Sequence, residues 1–501
     1  NSYLNKALLK QQGFSNPQGK GESQMPSYFN KTLNYLKRNG VKNTYYAVME
    51  RLTPGGMADY SRYTYQAPDE DILKAQRESW QERKNPLTIS LVVPAYETKQ
   101  AYLTALMDSV LAQTWESWEL ILADASTSDV VEQTVALYED ARIHYVRLES
   151  NDGISANTNA AIGYVADNMP RSDYVGLLDH DDLLTPDALY EMAAAIENAP
   201  EAVLFYSDED KCDGTGTQFY EPHIKEKFNL DLFLTNNYIC HLTVLRKDWL
   251  QELKFRPEMD GAQDFDLVLR TVSKLLSENQ KPEQQIIHIP KILYHWRCHS
   301  ESTADNPGSK LYAYEAGRRA IADFLQRNGI HGTVKNTSHL GFYRVDYEGN
   351  LWIERKDIGI VGGKIIKNGK VVSGNLDGEG NALYAGLDAH YSGYLHRAAL
   401  VQDAEACDVR SMEIREELRT VFEGYFSCQV PENAIRRKED GTAVSFTTDS
   451  FYRDIPFHAD LEQLTPADAQ QAVAKISVKF CERIRQEGCR IVWDPEKELK
   501  L

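Results

Sequence analysis

Short apolar runs alternate with amphipathic stretches between residues 87 and 199 of the chain. Four runs have the continuous apolar character of strands that are buried on both faces: "TISLVVPAY" (88–96), "WELILADAS" (118–126), "IHYVRLE" (143–149) and "DYVGLLD" (173–179). Apolar positions at helical spacing lie between and after them, over residues 101–113, 128–140, 155–167 and 185–197. This alternation predicts an α/β fold with a mainly parallel sheet, in which ligands bind beyond the carboxyl ends of the strands.

The segments on either side of this region have a different pattern. Residues 1–86 are polar with helical spacing, and they include a charged helix over residues 69–86. Residues 357–375 predict two strands joined by a turn at Asn368-Gly369. We therefore divide the chain into an N-terminal helical region, an α/β domain and a C-terminal α+β accessory domain, over residues 1–86, 87–347 and 348–501.

Composition and charge limit the kinds of partner that the protein can have. The 501 residues carry a formal net charge of −19, so we expect no nucleic-acid partner. The seven cysteines are odd in number and form no CxxC pair, which favours free thiols in a reducing cytosol. No run reaches the roughly 18–20 apolar residues that a membrane helix needs. These features favour a cytoplasmic protein without a transmembrane segment, although a leader removed before Asn1 stays open.

The fourth apolar run ends abruptly in Asp179, His180, Asp181 and Asp182. Two carboxylates about 4 Å apart repel by roughly 4 kcal/mol at an effective dielectric near 20. Three of them between a rigid strand and a helix need protons, basic partners or a metal ion, and hard oxygen ligands suit Mg²⁺ or Mn²⁺. The alternative is an acidic flank that favours the dipole of the following helix.

The order of motifs along the chain resembles that of the family 2 glycosyltransferases, which are inverting enzymes with the A-type, Rossmann-like nucleotide-sugar fold. The resemblance covers roughly residues 87–347 and rests on six segments: "ISLVVPAYE", "LILADAST", "NDGISANTNAAI", "LLDHDD", "GAQDFDLVLR" and "ILYHWRCHSEST" (292–303). Residues 386–414 and 480–499 resemble the later half of a second domain of this family. We therefore expect the C-terminal accessory domain to be a catalytically inactive remnant.

The resemblance implies donor-binding roles for residues at the strand ends. Asp124 would bind the nucleotide base, although Ala123 replaces the first Asp of the family's usual pair. Asp179 and Asp181 would hold the ribose of the sugar nucleotide as well as the metal, His180 would also bind the donor, and Gly153 would let the main chain approach the nucleotide closely. The other donor-binding residues of this prediction are Pro94, Ala95, Tyr96, Glu97, Asn157 and Arg297.

The resemblance also implies the metal ligands and the general base. Asp179 and Asp181 would hold Mg²⁺ or Mn²⁺, and His295 would complete the ligands or contact the diphosphate. Asp264, at the start of a predicted helix, would take the proton of the acceptor hydroxyl. Capping that helix is the alternative role for Asp264.

The sequence thus predicts a metal-dependent, inverting transferase that moves a sugar from a UDP- or dTDP-sugar to a bacterial surface glycan or its lipid-linked precursor. Peripheral contact with the inner face of the membrane and homo-oligomer formation are both compatible with this prediction. A non-catalytic scaffold that binds glycan or nucleotide is an alternative, which Ala123 favours. A sugar nucleotidyltransferase is a weaker one, because "PAYETKQAY" (94–102) lacks a glycine-rich phosphate loop.

Overall fold

The computed structural model describes residues 26–53, 63–299, 311–348, 350–461 and 463–501. Parts of the expected N-terminal helical region, and residues 300–303 of the His-Trp-Arg segment, lie outside these ranges. The chain divides into two compact units, which are Tyr60–Glu354 and the combination of Asn1–Asp59 with Arg355–Leu501. We call them the larger and the smaller unit. Helix α1 (Pro26–Leu52) belongs to the smaller unit.

The larger unit is built from alternating strands and helices, followed by a separate hairpin. Its strands are β1 (Thr88–Ala95), β2 (Trp118–Asp124), β3 (Ile143–Arg147), β4 (Ser172–Leu177), β5 (Leu183–Leu184), β6 (Leu204–Cys212), β7 (Phe219–His223), β8 (Thr243–Arg246), β9 (Ile286–Arg297), β10 (Gly332–Asn336) and β11 (Tyr343–Tyr347). Its helices are α2 (Glu70–Gln81), α3 (Gln100–Leu111), α4 (Val130–Val135), α5 (Ile154–Asn168), α6 (Ala188–Asn198), α7 (Leu230–Phe233), α8 (Lys247–Leu253), α9 (Gln263–Ser277), α10 (Pro282–Gln285), α11 (Leu311–Arg327) and α12 (Leu351–Glu354).

The central sheet has a parallel half and a mixed half. Its order is β3-β2-β1-β4-β8-β6-β9-β5, with β7 paired to β6. Strand β1 lies parallel between β2 and β4, and β2 is parallel to β3. Beyond β4, strand β8 runs antiparallel to both β4 and β6, while β6 and β9 are parallel. The α/β class is confirmed, and the carboxyl ends of β1, β2 and β4 lie along one edge of the sheet.

The parallel strands are buried on both faces, as their continuous apolar runs predict. The adjacent residues Leu91, Val92 and Val93 of β1 are all fully buried, although successive side chains point to opposite faces. The helix predicted over residues 128–140 is shorter, since α4 ends at Val135. Leu137, the next apolar residue of that stretch with a bulky side chain, is 67% exposed, so no buried stripe extends the helix.

The smaller unit combines helix α1 with a second sheet. Its strands are β12 (Ile358–Lys367), β13 (Lys370–Ser373), β14 (Asn375–Leu376), β15 (Gln402–Asp403), β16 (Ala406–Cys407), β17 (Met412–Arg415), β18 (Ile435–Arg437), β19 (Ala443–Thr447) and β20 (Arg490–Lys500). Its other helices are α13 (Arg419–Phe426), α14 (Phe457–Leu461) and α15 (Pro466–Gln486). The predicted turn at Asn368-Gly369 joins β12 and β13 as an antiparallel hairpin, and both residues have positive φ, 52° and 75°.

The sheet of the smaller unit has the same strand order as the mixed half of the larger one. Its main path is β15-β20-β12-β17-β19-β18. Strand β12 is antiparallel to β17 and parallel to β20, and β20 is antiparallel to β15. In the larger unit, β6 is likewise antiparallel to β8 and parallel to β9, and β9 is antiparallel to β5. Within the described ranges of both units, no helix combines the length and apolar composition needed to cross a bilayer.

The turn that precedes α5 requires a glycine. Gly153 has a φ of +96°, and a Cβ added to it would lie 2.5 Å from Oδ2 of Asp260. The other oxygen of Asp260 accepts a hydrogen bond from the main-chain N–H of Ser155, at 3.3 Å, so this side chain caps the first turn of α5. The group that approaches the main chain of Gly153 closely in the structure is therefore the side chain of Asp260.

We expect Gly153→Ala to destabilise the larger unit by roughly 1–3 kcal/mol, because alanine is strained at this φ and its Cβ would displace Asp260. Gly163→Ala is the matched control in α5, since nothing lies within 4 Å of its added Cβ. It should stabilise the helix by up to about 1 kcal/mol. Urea unfolding followed by tryptophan fluorescence measures both changes. An unfolding midpoint left unchanged by Gly153→Ala would contradict the assignment.

Candidate active site

A pocket opens at the carboxyl ends of β1 and β4, with an empty volume of about 520 Å³ that includes its open mouth. Two carboxylates and one imidazole from separate elements are among the groups that line it: Asp179 follows β4, His241 precedes β8, and Asp264 lies in the first turn of α9. Apolar side chains that include Pro94 and Phe255 form much of the remaining wall. Ligand pockets in α/β proteins commonly have this composition and this position.

The carboxylate of Asp182 is buried within the acidic turn. Asp182 is only 1% exposed. Its Oδ1 accepts a hydrogen bond from the main-chain N–H of Arg297 at 2.7 Å, and its Oδ2 accepts one from the hydroxyl of Tyr294 at 2.5 Å. Burial, and then repulsion from Asp181 and Asp179, raise the pKa of Asp182 well above its usual value. Asp182 therefore connects the turn to β9.

His241 faces the same turn. One ligand atom from each of Asp179, Asp182 and His241 lies within 4.8 Å of the others, and Nε2 of His241 is 3.6 Å from Oδ2 of Asp179. The imidazole stacks on the ring of Tyr294, at 4.7 Å between centroids, and its Nδ1 is 3.0 Å from Oε2 of Glu209. Burial alone would lower the pKa of His241, but the two carboxylates raise it well above its usual value.

The other two expected metal ligands, Asp181 and His295, contact different partners. Oδ2 of Asp181 is 3.0 Å from Nε2 of His299. Nδ1 of His295 is 2.5 Å from Oδ1 of the fully buried Asp210. Among the described residues, the structure thus does not bring His295 into the group around His241.

Arg297, expected at the diphosphate, is 2% exposed and contacts main-chain carbonyls. Its Nε donates to the carbonyl of Asp181 at 2.5 Å, and one terminal nitrogen donates to the carbonyl of Gly214 at 3.0 Å. Its guanidinium also lies 4.9 Å from the centroid of the Tyr102 ring. As placed, Arg297 joins the loop after β6 to the acidic turn, and its contact with a diphosphate stays a prediction.

Asp264 and Asp266 lie two residues apart in α9 and have different surroundings. Asp266 is 1% exposed and is paired with Arg256 and with Arg270, whose Nε is 2.8 Å from Oδ2. Asp264 lines the pocket, and its Oδ2 accepts a hydrogen bond from the amide of Asn237 at 2.9 Å. A general base needs a carboxylate that is not already neutralised by a cation. Among the described residues no cation pairs with Asp264, which therefore meets this requirement, whereas Asp266 does not.

Asp124, expected at the nucleotide base, is fully buried at the end of β2, opposite Ala95 of β1. Its Oδ1 accepts a hydrogen bond from the main-chain N–H of Ser126 at 2.9 Å. Its Oδ2 accepts hydrogen bonds from the hydroxyl of Tyr145 at 2.9 Å and from the guanidinium of Arg147 at 3.0 Å. In the structure this carboxylate organises the loop after β2, and its contact with a base stays a prediction.

Glu97 ties the loop after β1 to the loop after β2, while its neighbour Tyr96 is 46% exposed. Oε2 of Glu97 accepts a hydrogen bond from the hydroxyl of Ser128. Oε1 accepts hydrogen bonds from the hydroxyl and the N–H of Thr127, and all three are 2.7–2.8 Å long. These bonds, led by those from Ser128 and Thr127, lower the pKa of Glu97 to about 2. Glu97 thus holds together the loops after β1 and β2, which form the rim of the site along which a nucleoside is expected to lie.

Two further expected donor residues have different surroundings. The side-chain amide of Asn157 donates to the side-chain oxygen of Asn151 at 2.9 Å, which fastens the turn before α5. Nδ1 of His180 is buried in the acidic turn and has no hydrogen-bond partner among the described residues. Asn157 thus supports this turn, and its contact with the donor stays a prediction, whereas His180 carries a polar atom that the described protein leaves unsatisfied.

Sequence reasoning did not identify Asn237, His241 or Glu209. A signal for Glu209 exists, because "AVLFYSDEDK" (202–211) places three acids directly after an apolar run, and the structure shows that they belong to the same strand, β6. His241 is a single histidine in "NYICHLTVL" (237–245), and local pattern gives it no distinction. Its position becomes informative only once β8 pairs with β4 and β6.

The donor atoms at the acidic turn suit a divalent cation. The side chain of Asp179 is 45% exposed, and its carboxylate faces the imidazole of His241. Carboxylate oxygens are ligands for Mg²⁺ and Mn²⁺, and imidazole nitrogen is a common ligand for transition metals. The 3.6 Å between these atoms lies between the roughly 3.0 Å of adjacent and the roughly 4.2 Å of opposite ligands of an octahedral ion, so the two side chains would shift slightly to bind one ion.

Comparison with known proteins gives a consistent assignment. A family model described as glycosyl transferase family 2 matches residues 90–254, from β1 to the end of α8. An uncharacterized protein of Sinorhizobium fredii, y4gI, is 40% identical over 248 residues, which are 49% of this chain and 26% of that protein. The O-antigen biosynthesis protein RfbC of Myxococcus xanthus is 33% identical over 298 residues, which are 59% of this chain and 22% of that protein.

The chain spans about a quarter of the length of these two relatives. A third relative is matched along most of its length. The putative colanic acid biosynthesis glycosyl transferase WcaA of Escherichia coli is 30% identical over 216 residues, which are 41% of this chain and 74% of that protein. With the family model matching the strands that build the pocket, these similarities establish that the chain belongs to glycosyl transferase family 2.

Proposed function

We propose that this protein transfers a sugar from a UDP- or dTDP-sugar to a bacterial surface glycan or its lipid-linked precursor, with inversion at the anomeric carbon. The observation that carries the proposal is the convergence of Asp179, His241 and Asp264 on one pocket. A place for a cation and a carboxylate free to act as a base are the two parts that such a transfer needs. The names of RfbC and WcaA, which concern O-antigen and colanic acid biosynthesis, support a surface glycan as the acceptor.

On the donor side, we assign the binding of Mg²⁺ or Mn²⁺ to the acidic turn, with Asp179 and Asp181 as its carboxylates. A bound ion would neutralise the negative charge of the leaving nucleoside diphosphate. The nucleoside would lie along the rim formed by Tyr96 and the loop after β2, which Asp124 organises. The unsatisfied nitrogen of His180 would supply a polar contact from the turn itself.

On the acceptor side, Asp264 would act as the general base. Its carboxylate accepts the proton of the acceptor hydroxyl while that oxygen forms a bond to the anomeric carbon. The bond between the anomeric carbon and the diphosphate oxygen breaks with its electron pair leaving on the diphosphate. Asn237 supports this role, because its amide orients the carboxylate without the charge that a lysine or arginine would bring.

A second candidate is a scaffold that binds nucleotide or glycan without turnover. Ala123, fully buried beside Asp124, occupies the position of the family's usual first Asp. A missing carboxylate at that point would weaken recognition of the base. The two candidates differ in one measurable respect, which is whether Asp264 is required for release of nucleoside diphosphate.

We expect Mn²⁺-dependent binding of UDP or dTDP, because the acidic turn and the diphosphate are both anionic and need a cation between them. Asp179→Ala should weaken this binding at least about tenfold, since it removes a carboxylate that faces the ion. Isothermal titration calorimetry with each nucleotide, with and without Mn²⁺, measures the effect. Asp167→Ala, at an exposed position of α5, is the control and should bind as the native chain does. Failure of both nucleotides to bind under every condition would contradict the assigned donors.

We expect Asp264→Asn to lower the rate of sugar transfer by about 10²- to 10⁴-fold, while binding of the nucleotide is retained. Asparagine keeps the shape of the side chain and an oxygen for Asn237, but it cannot accept the proton. Release of UDP or dTDP from donor sugars, measured with a panel of saccharide acceptors, provides the rate.

Asp266→Asn gives the contrasting control for this experiment. It breaks a buried ion pair and should cost roughly 3–5 kcal/mol of stability, so its defect appears in urea unfolding. Undiminished transfer by the Asp264→Asn protein would exclude Asp264 as the base. Nucleotide binding by the native chain without any release of diphosphate would instead favour the scaffold.

A further inference from the structure

We propose that His241 is a ligand of the divalent cation at the acidic turn, and that Glu209 is the positioning residue that directs it there. This inference rests on the proposed function for the presence of the cation. It assigns roles to a loop before β8 and to strand β6, neither of which was expected to contribute to the metal site.

The hydrogen bonds of His241 determine which nitrogen is available to the pocket. Oε2 of Glu209 is 3.0 Å from Nδ1 of His241 and 3.3 Å from its main-chain nitrogen. Because a carboxylate only accepts hydrogen bonds, Nδ1 carries the proton in this pair. A cation that displaces the proton from Nε2 would bind the lone pair on that nitrogen, which is 3.6 Å from Oδ2 of Asp179. A histidine that donates one N–H to a carboxylate and offers the other nitrogen is the usual arrangement of a metal ligand.

Glu209 is suited to orient this histidine because its carboxylate is buried and fixed by several partners. It is 6% exposed, its Oε1 is 3.1 Å from Nδ1 of His223, and its Oε2 is 3.4 Å from Nζ of Lys225. Nζ of Lys225 also donates to the carbonyl of His241, so the same cation fixes the carboxylate and the main chain of the histidine.

The aromatic surroundings fix the plane of the imidazole. The rings of His241 and Tyr294 are stacked, with an angle of 12° between them, and the ring of Trp296 lies 5.9 Å away. The hydroxyl of Tyr294 donates to Asp182 in the acidic turn. The imidazole is thus held by a hydrogen bond at one edge and by a stacked ring on one face, which leaves the Nε2 edge directed at Asp179.

Two other histidines near the turn do not belong to the group of ligand atoms around Asp179. Nδ1 of His295 contacts Asp210, and the ring edge packs against Tyr65, at 4.6 Å between centroids. Nε2 of His299 contacts Oδ2 of Asp181 directly, at 3.0 Å, which is a hydrogen-bond distance. Of these three histidines, His241 belongs to the group of ligand atoms that lie within 4.8 Å of one another.

Pulsed electron paramagnetic resonance of Mn²⁺ bound to the full chain, with saturating UDP or dTDP, tests the ligand. A coordinated imidazole produces ¹⁴N modulation of the Mn²⁺ spin echo, and we expect this modulation in the native chain. His241→Gln should abolish it, whereas His295→Gln and His299→Gln should retain it. Circular dichroism confirms that each variant is folded. If His241→Gln does not fold, loss of the modulation in either of the other two variants still overturns the assignment.

The role of Glu209 is tested by the affinity for Mn²⁺, which is measured without turnover. Glu209→Gln keeps the size of the side chain but weakens the orienting hydrogen bond, and we expect the Kd for Mn²⁺ to rise roughly 10- to 100-fold. Glu119→Gln is the matched control, because it breaks another contact between a histidine and a glutamate, 2.7 Å from His144, on β2 and β3. It should leave the Kd unchanged. An unchanged Kd in Glu209→Gln would overturn the positioning role.

The outcomes also separate this inference from the proposed function. If the native chain binds Mn²⁺ with the nucleotide but the modulation persists in His241→Gln, the ligand assignment is wrong and the proposed donor site stands. If the native chain binds no Mn²⁺ with either nucleotide, the metal part of the proposed function and this assignment both fail.

Discussion

Like-charge repulsion among the three carboxylates after β4 is the constraint on which the arrangement of the site depends. Each pair would repel by roughly 4 kcal/mol at about 4 Å and an effective dielectric near 20. The three carboxylates have different surroundings in the structure. Asp182 is buried against the hydroxyl of Tyr294 and the main chain of Arg297, and Asp181 contacts His299. Asp179 remains half exposed and lines the pocket.

The mixed half of the sheet supplies the groups that support this turn. Strand β9 contributes Tyr294 and Arg297, and β6 contributes Glu209, which in turn fixes His241 before β8. The parallel half supplies the strand ends at which the pocket opens. The two halves meet where β4 pairs with β8, with Leu177 opposite Thr243. This pairing brings the acidic turn, which follows β4, beside the histidine, which precedes β8.

Local pattern could predict the parallel half but not the mixed half of the site. Continuous apolar runs determine β1 to β4, and the abrupt change of polarity after β4 identifies the acidic turn without any tertiary information. Local pattern also places Asp264 at the start of a helix. The contact of Glu209 with His241 joins two residues that are 32 positions apart in the sequence, and no periodicity in the sequence indicates it. The need for a glycine at position 153 is similarly nonlocal, because it arises from Asp260.

The sheet of the smaller unit has the same strand order as the mixed half of the larger one, but a different residue stands at the position that corresponds to His241. Strands β8 and β17 pair with β6 and β12 through three residues each, and they begin at Thr243 and Met412. Two residues before these positions lie His241 and Arg410. Arg410 is paired with the fully buried Asp408, at 2.6 Å. A guanidinium stays protonated and offers no lone pair to a cation. The counterpart of the proposed metal ligand therefore cannot bind an ion, which supports an accessory rather than a second catalytic role for this unit.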